Sequence, residues 1–161
     1  MRRIFLILLI SYLSFLLEFV LFNVGGGLIK PAVTLLPVVY FSLTWGVRYS
    51  LVAALFCGLF KDSISVGPFG ANMFALMVCA FLTNFVKRYL FHMGYRSLRA
   101  FVVFLVTLIY GLVLYGVFVL FTDLAFNSVI LYVLVPEVIT TTLIAEAMFR
   151  LFKKCVLKLS V

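Results

Sequence analysis

The chain has 161 residues, 66% of them hydrophobic and 11% charged, with a formal net charge of +8. Soluble domains carry about a quarter charged residues, so a soluble enzyme or a separate soluble domain is excluded. The expectation is an all-α integral membrane protein, one polytopic domain over residues 1–161. The basic residues cluster at the ends of apolar runs, which suits anionic lipid headgroups and argues against nucleic acid.

Six apolar segments follow one another. The first, residues 4–22, comes after Arg2 and Arg3. It is longer than the apolar part of a signal peptide, so it reads as a retained helix, with Gly25-Gly26-Gly27 as the loop after it. Glu18 lies near its outer end, within reach of the interface or a neighbouring helix. The second segment, residues 31–46, begins at Pro31, which suits a first helical turn. Pro37 is expected to kink or break it, and Trp45 sits where an interfacial aromatic anchor belongs.

In the third segment, residues 49–65, Ser50, Ala54, Gly58 and Asp62 recur every four residues. That spacing places them on one helix face, and small residues there let a second helix approach closely. Asp62 closes the stripe at its outer end. It reads either as a helix-end charge at the water interface or as a buried hinge of the bundle. Lys61 points about 100° away around the helix and is expected to snorkel outward.

The turn Val66-Gly67-Pro68-Phe69-Gly70 leads into the fourth segment, residues 70–90, where Asn72 is placed to cap or to bridge to Asp62. Lys87 and Arg88 end it and open a basic loop with His92, Arg96 and Arg99. The fifth segment, residues 100–122, ends at Asp123. Its Gly111 and Gly116 lie too far apart for a GxxxG face. The sixth, residues 128–152, is interrupted by Pro136, with Glu137 and Thr140-Thr141-Thr142 after it. Glu146 and Arg150 form an i,i+4 pair in the favourable order.

Six spans with both termini cytoplasmic satisfy the positive-inside rule. Arg2, Arg3, Arg48, Lys87, Arg88, Arg96, Arg99, Arg150, Lys153, Lys154 and Lys158 then lie inside, leaving only Lys30 and Lys61 outside. Glu18, Asp62, Asp123 and Glu137 fall in the outer half, and Glu146 alone is placed near the cytoplasm.

Reactive constellations are missing from the pattern. His92 is the only histidine, and no Cys/His/carboxylate set has metal spacing. Cys57, Cys79 and Cys155 form no C-x-x-C pair and read as small buried hydrophobes. No Ser/His pair, phosphate loop or supported carboxylate dyad is present. No catalytic, metal or cofactor residues are therefore assigned.

The pattern Gly58-x-x-x-Asp62, then Ser65-x-Gly67-Pro68-Phe69-Gly70-x-Asn72, resembles the central signature of the MreD family of bacterial rod-shape-determining membrane proteins. Length, short loops and the basic loop after the fourth segment are similar too. Lys61 and Glu137 are not features of that pattern. The resemblance implies a non-enzymatic scaffold of the cell-wall elongation complex in the cytoplasmic (inner) membrane. It implies binding to MreC and, indirectly, links to MreB, RodA and a class B penicillin-binding protein. It also implies a six-helix fold like the S component of energy-coupling-factor transporters. Ala54, Gly58, Asp62, Gly67, Pro68, Gly70 and Asn72 are then the candidates for structural or partner-interface roles. The rival expectation is an S-component-like uptake subunit for a vitamin. The first segment has no alanine, whereas S components carry an Ala-x-x-x-Ala face there. A pathway for ions through Glu18, Asp62 and Glu137 is the third reading.

Overall fold

Long apolar runs broken by Gly, Pro and charged clusters leave the backbone one economical way to satisfy its own polar groups, the α-helix. The computed structural model describes residues 2–24, 31–65, 67–90, 97–121 and 134–160. Those residues form six helices: α1 (Arg2–Val24), α2 (Leu35–Thr44), α3 (Val47–Asp62), α4 (Ala71–Leu90), α5 (Ser97–Phe121) and α6 (Val135–Ser160). The segment Gly25-Gly26-Gly27, the loop residues His92 and Arg96, and Asp123 lie outside the described residues.

The bundle is built around its shortest helix. α2 has 10 residues, about 15 Å at 1.5 Å per residue. Leu35, Leu36, Val38, Val39 and Phe41 are completely buried, as are Val33 and Thr34 just before the helix. Buried non-helical backbone must find partners for its N–H groups, and here each one does. Val33 N–H donates to the Pro31 carbonyl at 2.9 Å, Leu35 N–H to that of Ala32 at 3.1 Å and Leu36 N–H to that of Val33 at 3.1 Å. Ala32 N–H reaches Thr141 Oγ1 on α6 at 3.0 Å, and Thr34 N–H reaches the Glu18 carboxylate on α1 at 2.8 Å.

Pro37 therefore acts differently from expectation. It is the third residue of α2, inside the first turn, where a missing N–H costs nothing. It starts a helix where the sequence suggested a kink. Pro136 is the second residue of α6, and the part of its segment before residue 134 lies outside the described residues.

The surrounding helices turn large apolar side chains outward. Phe5, Leu13 and Val20 on α1, Phe74, Phe81 and Phe85 on α4, and Phe101 on α5 are each more than half exposed. Large apolar side chains gathered on a surface mark contact with lipid or with another protein. Two stretches, Arg3–Asn23 and Ala100–Val117, are long and apolar enough to cross a membrane. At one end of the bundle the Arg3 guanidinium lies over the rings of Trp45, at 5.7 Å, and Tyr49, at 5.8 Å. Lys87 Nζ there donates to the Ser42 carbonyl at 3.4 Å, near the C-terminal end of α2 where a cation is favoured.

α3 and α4 form the most extensive helix pair. Gly58 sets their approach: a Cβ added there would sit 2.4 Å from Met73 Cα and 2.9 Å from its backbone N. Backbone cannot swing aside as a side-chain tip does. Gly58→Ala is therefore expected to lower stability by about 3 kcal/mol, the upper range for overpacking. Gly116→Ala on α5, where a Cβ meets nothing within 4 Å, should leave it unchanged or raised by about 0.5 kcal/mol. Thermal or denaturant melts of the detergent-solubilised protein check both.

Candidate functional site: the polar cluster at one end of the bundle

Asp62 is the last residue of α3 and only 4% exposed. A lone buried carboxylate is costly, so its partners decide what it does. Oδ2 accepts from Gly70 N–H at 3.1 Å and Met73 N–H at 3.2 Å. Oδ1 accepts from Asn72 N–H at 3.1 Å and from Asn72 Nδ2 at 2.9 Å. These backbone groups open α4, and the first N–H groups of a helix have no partner within it. Asp62 does across the hairpin what an N-cap side chain does locally, and its charge meets the positive end of the α4 dipole.

The turn is shaped to make this reach possible. Gly70 has φ +97°, a conformation that costs a Cβ-bearing residue energy. Ala71 N–H returns to the Pro68 carbonyl at 3.2 Å, and Gly67 N–H donates to Ser65 Oγ at 3.2 Å. Ala54 is completely buried. On the same stripe Ser50 Oγ donates to the Val38 carbonyl of α2 at 2.9 Å. The stripe thus serves two neighbours, α2 at one end and α4 at the other. Gly58, Asp62, Gly70 and Asn72 converge on the α3–α4 junction. Gly67 and Pro68 shape the turn and do not touch the carboxylate.

Lys61 does not snorkel outward. Its Nζ lies 2.7 Å from Glu18 Oε1 on α1 and 5.2 Å from the centre of the Tyr110 ring on α5. The two charged side chains are 22% and 18% exposed. Glu18 Oε2 also accepts from Thr34 N–H and Thr34 Oγ1, both at 2.8 Å. The rotation of about 100° from Asp62 turns Lys61 toward α1 and α5, where a carboxylate and an aromatic face receive it. Glu137 at the start of α6 adds to the negative field around Lys61. Tyr110, completely buried, donates its hydroxyl to Asn72 Oδ1 at 2.9 Å. It thereby joins the Asp62 cap to the Lys61 ion pair.

Thr34 and Tyr110 were not singled out from the sequence, and Thr141 was named there with no role. Tyr110 carried a signal, a phenol in the middle of an otherwise apolar segment, since a buried Tyr hydroxyl usually finds a partner. Glu18 and Lys61 carried another, one acid and one base at the same expected depth.

Among the described residues, no group of three or more His, Cys, Asp or Glu side chains is arranged to hold a metal ion. The hydrogen bonds and ion pair of Asp62, Glu18 and Lys61 are made within the bundle. The fold and this cluster define an all-helical, mainly apolar protein whose charged core residues hold helices together. The chain belongs to the MreD family: the family model described as rod shape-determining protein MreD matches residues 1–158. It is thus a member of a family of shape-determining membrane proteins. No curated protein and no solved structure matches the chain, so the expected likeness to transporter S components has no structural match behind it.

Two sets of variants test the cluster. Asp62→Asn replaces one acceptor oxygen by an amide that faces N–H donors. It should cost about 3 kcal/mol, the scale of losing charge-assisted hydrogen bonds, read as a lower melting temperature with faster amide hydrogen exchange in the α3–α4 region. Lys61→Met strands the Glu18 charge and should cost about 3 kcal/mol. The double variant Glu18→Gln/Lys61→Met should regain at least half of that loss, a coupling that a double-mutant cycle measures.

Proposed function

We propose that the chain is a six-span protein of the bacterial cytoplasmic (inner) membrane with both termini in the cytoplasm. It acts there as a non-enzymatic scaffold of the cell-wall elongation complex. Family membership supports the role in rod shape. The charge distribution supports the orientation: Arg3 and Lys87 gather at one end of the bundle, and Glu18, Asp62 and Glu137 at the other.

The single observation that carries the scaffold reading is the saturation of Asp62. Four N–H groups from the start of α4 take up its two oxygens. A carboxylate used in that way fixes geometry and has little capacity left for a ligand. What the hairpin offers outward is apolar: Ile64 is 58% exposed, Phe69 75% and Phe74 57%. In this reading the hairpin tip receives MreC, and through MreC the chain is tied to MreB, RodA and a class B penicillin-binding protein. Buried aromatic anchors dominate such interfaces.

The uptake reading has one observation in its favour. α2 is short, buried and entered by irregular backbone, as the half-helices at transporter substrate sites are. At its entrance, however, the Thr34 N–H is already taken up by Glu18 of the same chain, and the next two N–H groups by the carbonyls of Ala32 and Val33. Ligand-dependent thermal stabilisation of the purified protein would favour uptake over scaffolding.

The double variant Ile64→Ala/Phe69→Ala should keep the wild-type melting temperature. It should lower MreC co-purification by about tenfold or more, the scale of a lost aromatic anchor, and cells carrying it should round up. Normal rods with undiminished MreC recovery would overturn this docking site.

A further inference from the structure

Nearly every charged side chain discussed so far is turned into the bundle or placed at one of its ends. Glu146 and Arg150 on α6 are the exception. They form an ion pair at 2.7 Å, yet their side chains are 79% and 76% exposed. Their depth is set by neighbours on the same helix. Thr141 touches Ala32 at the level of the Glu18 cluster, and Phe149 and Phe152 pack around Tyr40 in the middle of α2. Glu146 therefore lies between the outer polar cluster and the bundle's middle, and not near the cytoplasm as the charge pattern suggested, with Arg150 one turn further in. Lys154 is eight residues further on, about 12 Å along the axis at 1.5 Å per residue. A glutamate side chain does not reach across that distance to water.

If α6 spans the membrane, as the proposed function holds, this pair faces the hydrocarbon in a lone copy of the chain. Charged groups at such depth are expensive, and they face protein or a water-filled cavity in nearly all membrane proteins. The same face carries Ile139, Leu143 and Leu151, exposed by 52%, 74% and 52%. The exposed Ala147 lies between them, a small residue that lets a helix come close. The pair is one acid and one base, four residues apart. A patch with that pattern is complementary to itself under two-fold rotation, because residue i meets j while j meets i.

We propose that this face of α6 is an interface between two copies of the chain. Two α6 helices cross near Ala147, and Glu146 of each copy pairs with Arg150 of the other. The interface removes both ion pairs from lipid. It also leaves the α3–α4 hairpin of each copy free for a different partner.

The test uses two differently tagged full-length copies in native membranes. Wild-type copies should co-purify. Glu146→Arg and Arg150→Glu each place two like charges on the patch, and each variant should associate with itself about tenfold less. A mixture of the two variants should recover wild-type association, because the copies are then opposite in charge. The pair within each helix stays repulsive in the mixture, so that recovery cannot come from repaired folding. Ala147→Phe keeps the ion pair and should lose association while the melting temperature is unchanged. Wild-type copies that do not associate would overturn the proposal. So would variants that associate undiminished, or capture of a different protein through α6 in place of a second copy. Thiol labelling at positions 137 and 154, each replaced by Cys in a chain whose exposed native Cys155 is replaced by Ser, reports separately on the span. Both positions labelled from the same side would refute the spanning reading itself, and the interface with it.

Discussion

The structure depends on one carboxylate at a helix junction. Asp62 ends α3 and receives four N–H groups from the first turn of α4 and its approach. Hydrogen bonds to a charged group contribute about 1.5–3 kcal/mol each when buried, and here they act together on the α4 dipole. The cost is geometric. Asp62 reaches those groups only if the two helices come close, and that closeness is what forbids a Cβ at Gly58. It also needs a tight return, which Gly70 supplies with its positive φ. The stripe of small residues and the Gly-Pro turn are two consequences of the same cap.

The constraint spreads from there through two adjacent residues. Asn72 carries it from Asp62 to Tyr110 on α5. Lys61 carries it the other way, to Glu18 on α1 and under it to Thr34 at the entrance of α2. The Tyr110 ring, against which Lys61 rests, closes the circuit. Five helices are thus fixed in register at one end by side chains that each satisfy more than one neighbour. Networks of this kind rigidify a core when complete.

How far the sequence foretold this depends on the kind of information each residue carries. The four-residue repeat Ser50, Ala54, Gly58, Asp62 was legible because helical periodicity fixes direction around one axis. A bridge from Asn72 to Asp62 was one of the two readings the Gly-Pro turn offered, whereas the cap that Asp62 forms on α4 was not among them. The direction of Lys61 around α3 was equally readable, but its destination was not. A helical wheel says where a side chain leaves the axis and is silent on which helix stands there. Lys61 therefore read as an outward snorkel, although Glu18 and Tyr110 waited at the other end of its reach. Pro37 misled for a related reason. A proline suits a first turn and disrupts an interior, and only the true start of α2, at Leu35, decides which applies. That start is set by tertiary contacts, Ala32 to Thr141 and Thr34 to Glu18, which no local pattern contains.

One rule of polarity then separates two kinds of surface on the same bundle. At the Asp62 cluster, charges converge inward from α1 and α3 and are satisfied there. On α6, Glu146 and Arg150 form an ion pair while both side chains stay largely exposed. A helix that needed only to pack on α5 and α2 would have no use for charge on that side, and its buried side is indeed apolar, with Ala145, Met148 and Phe152. The outward pair is explicable if the bundle is not the whole unit of assembly. Charge facing inward fixes the fold of one chain, whereas charge facing outward within the span bears on what stands beside it.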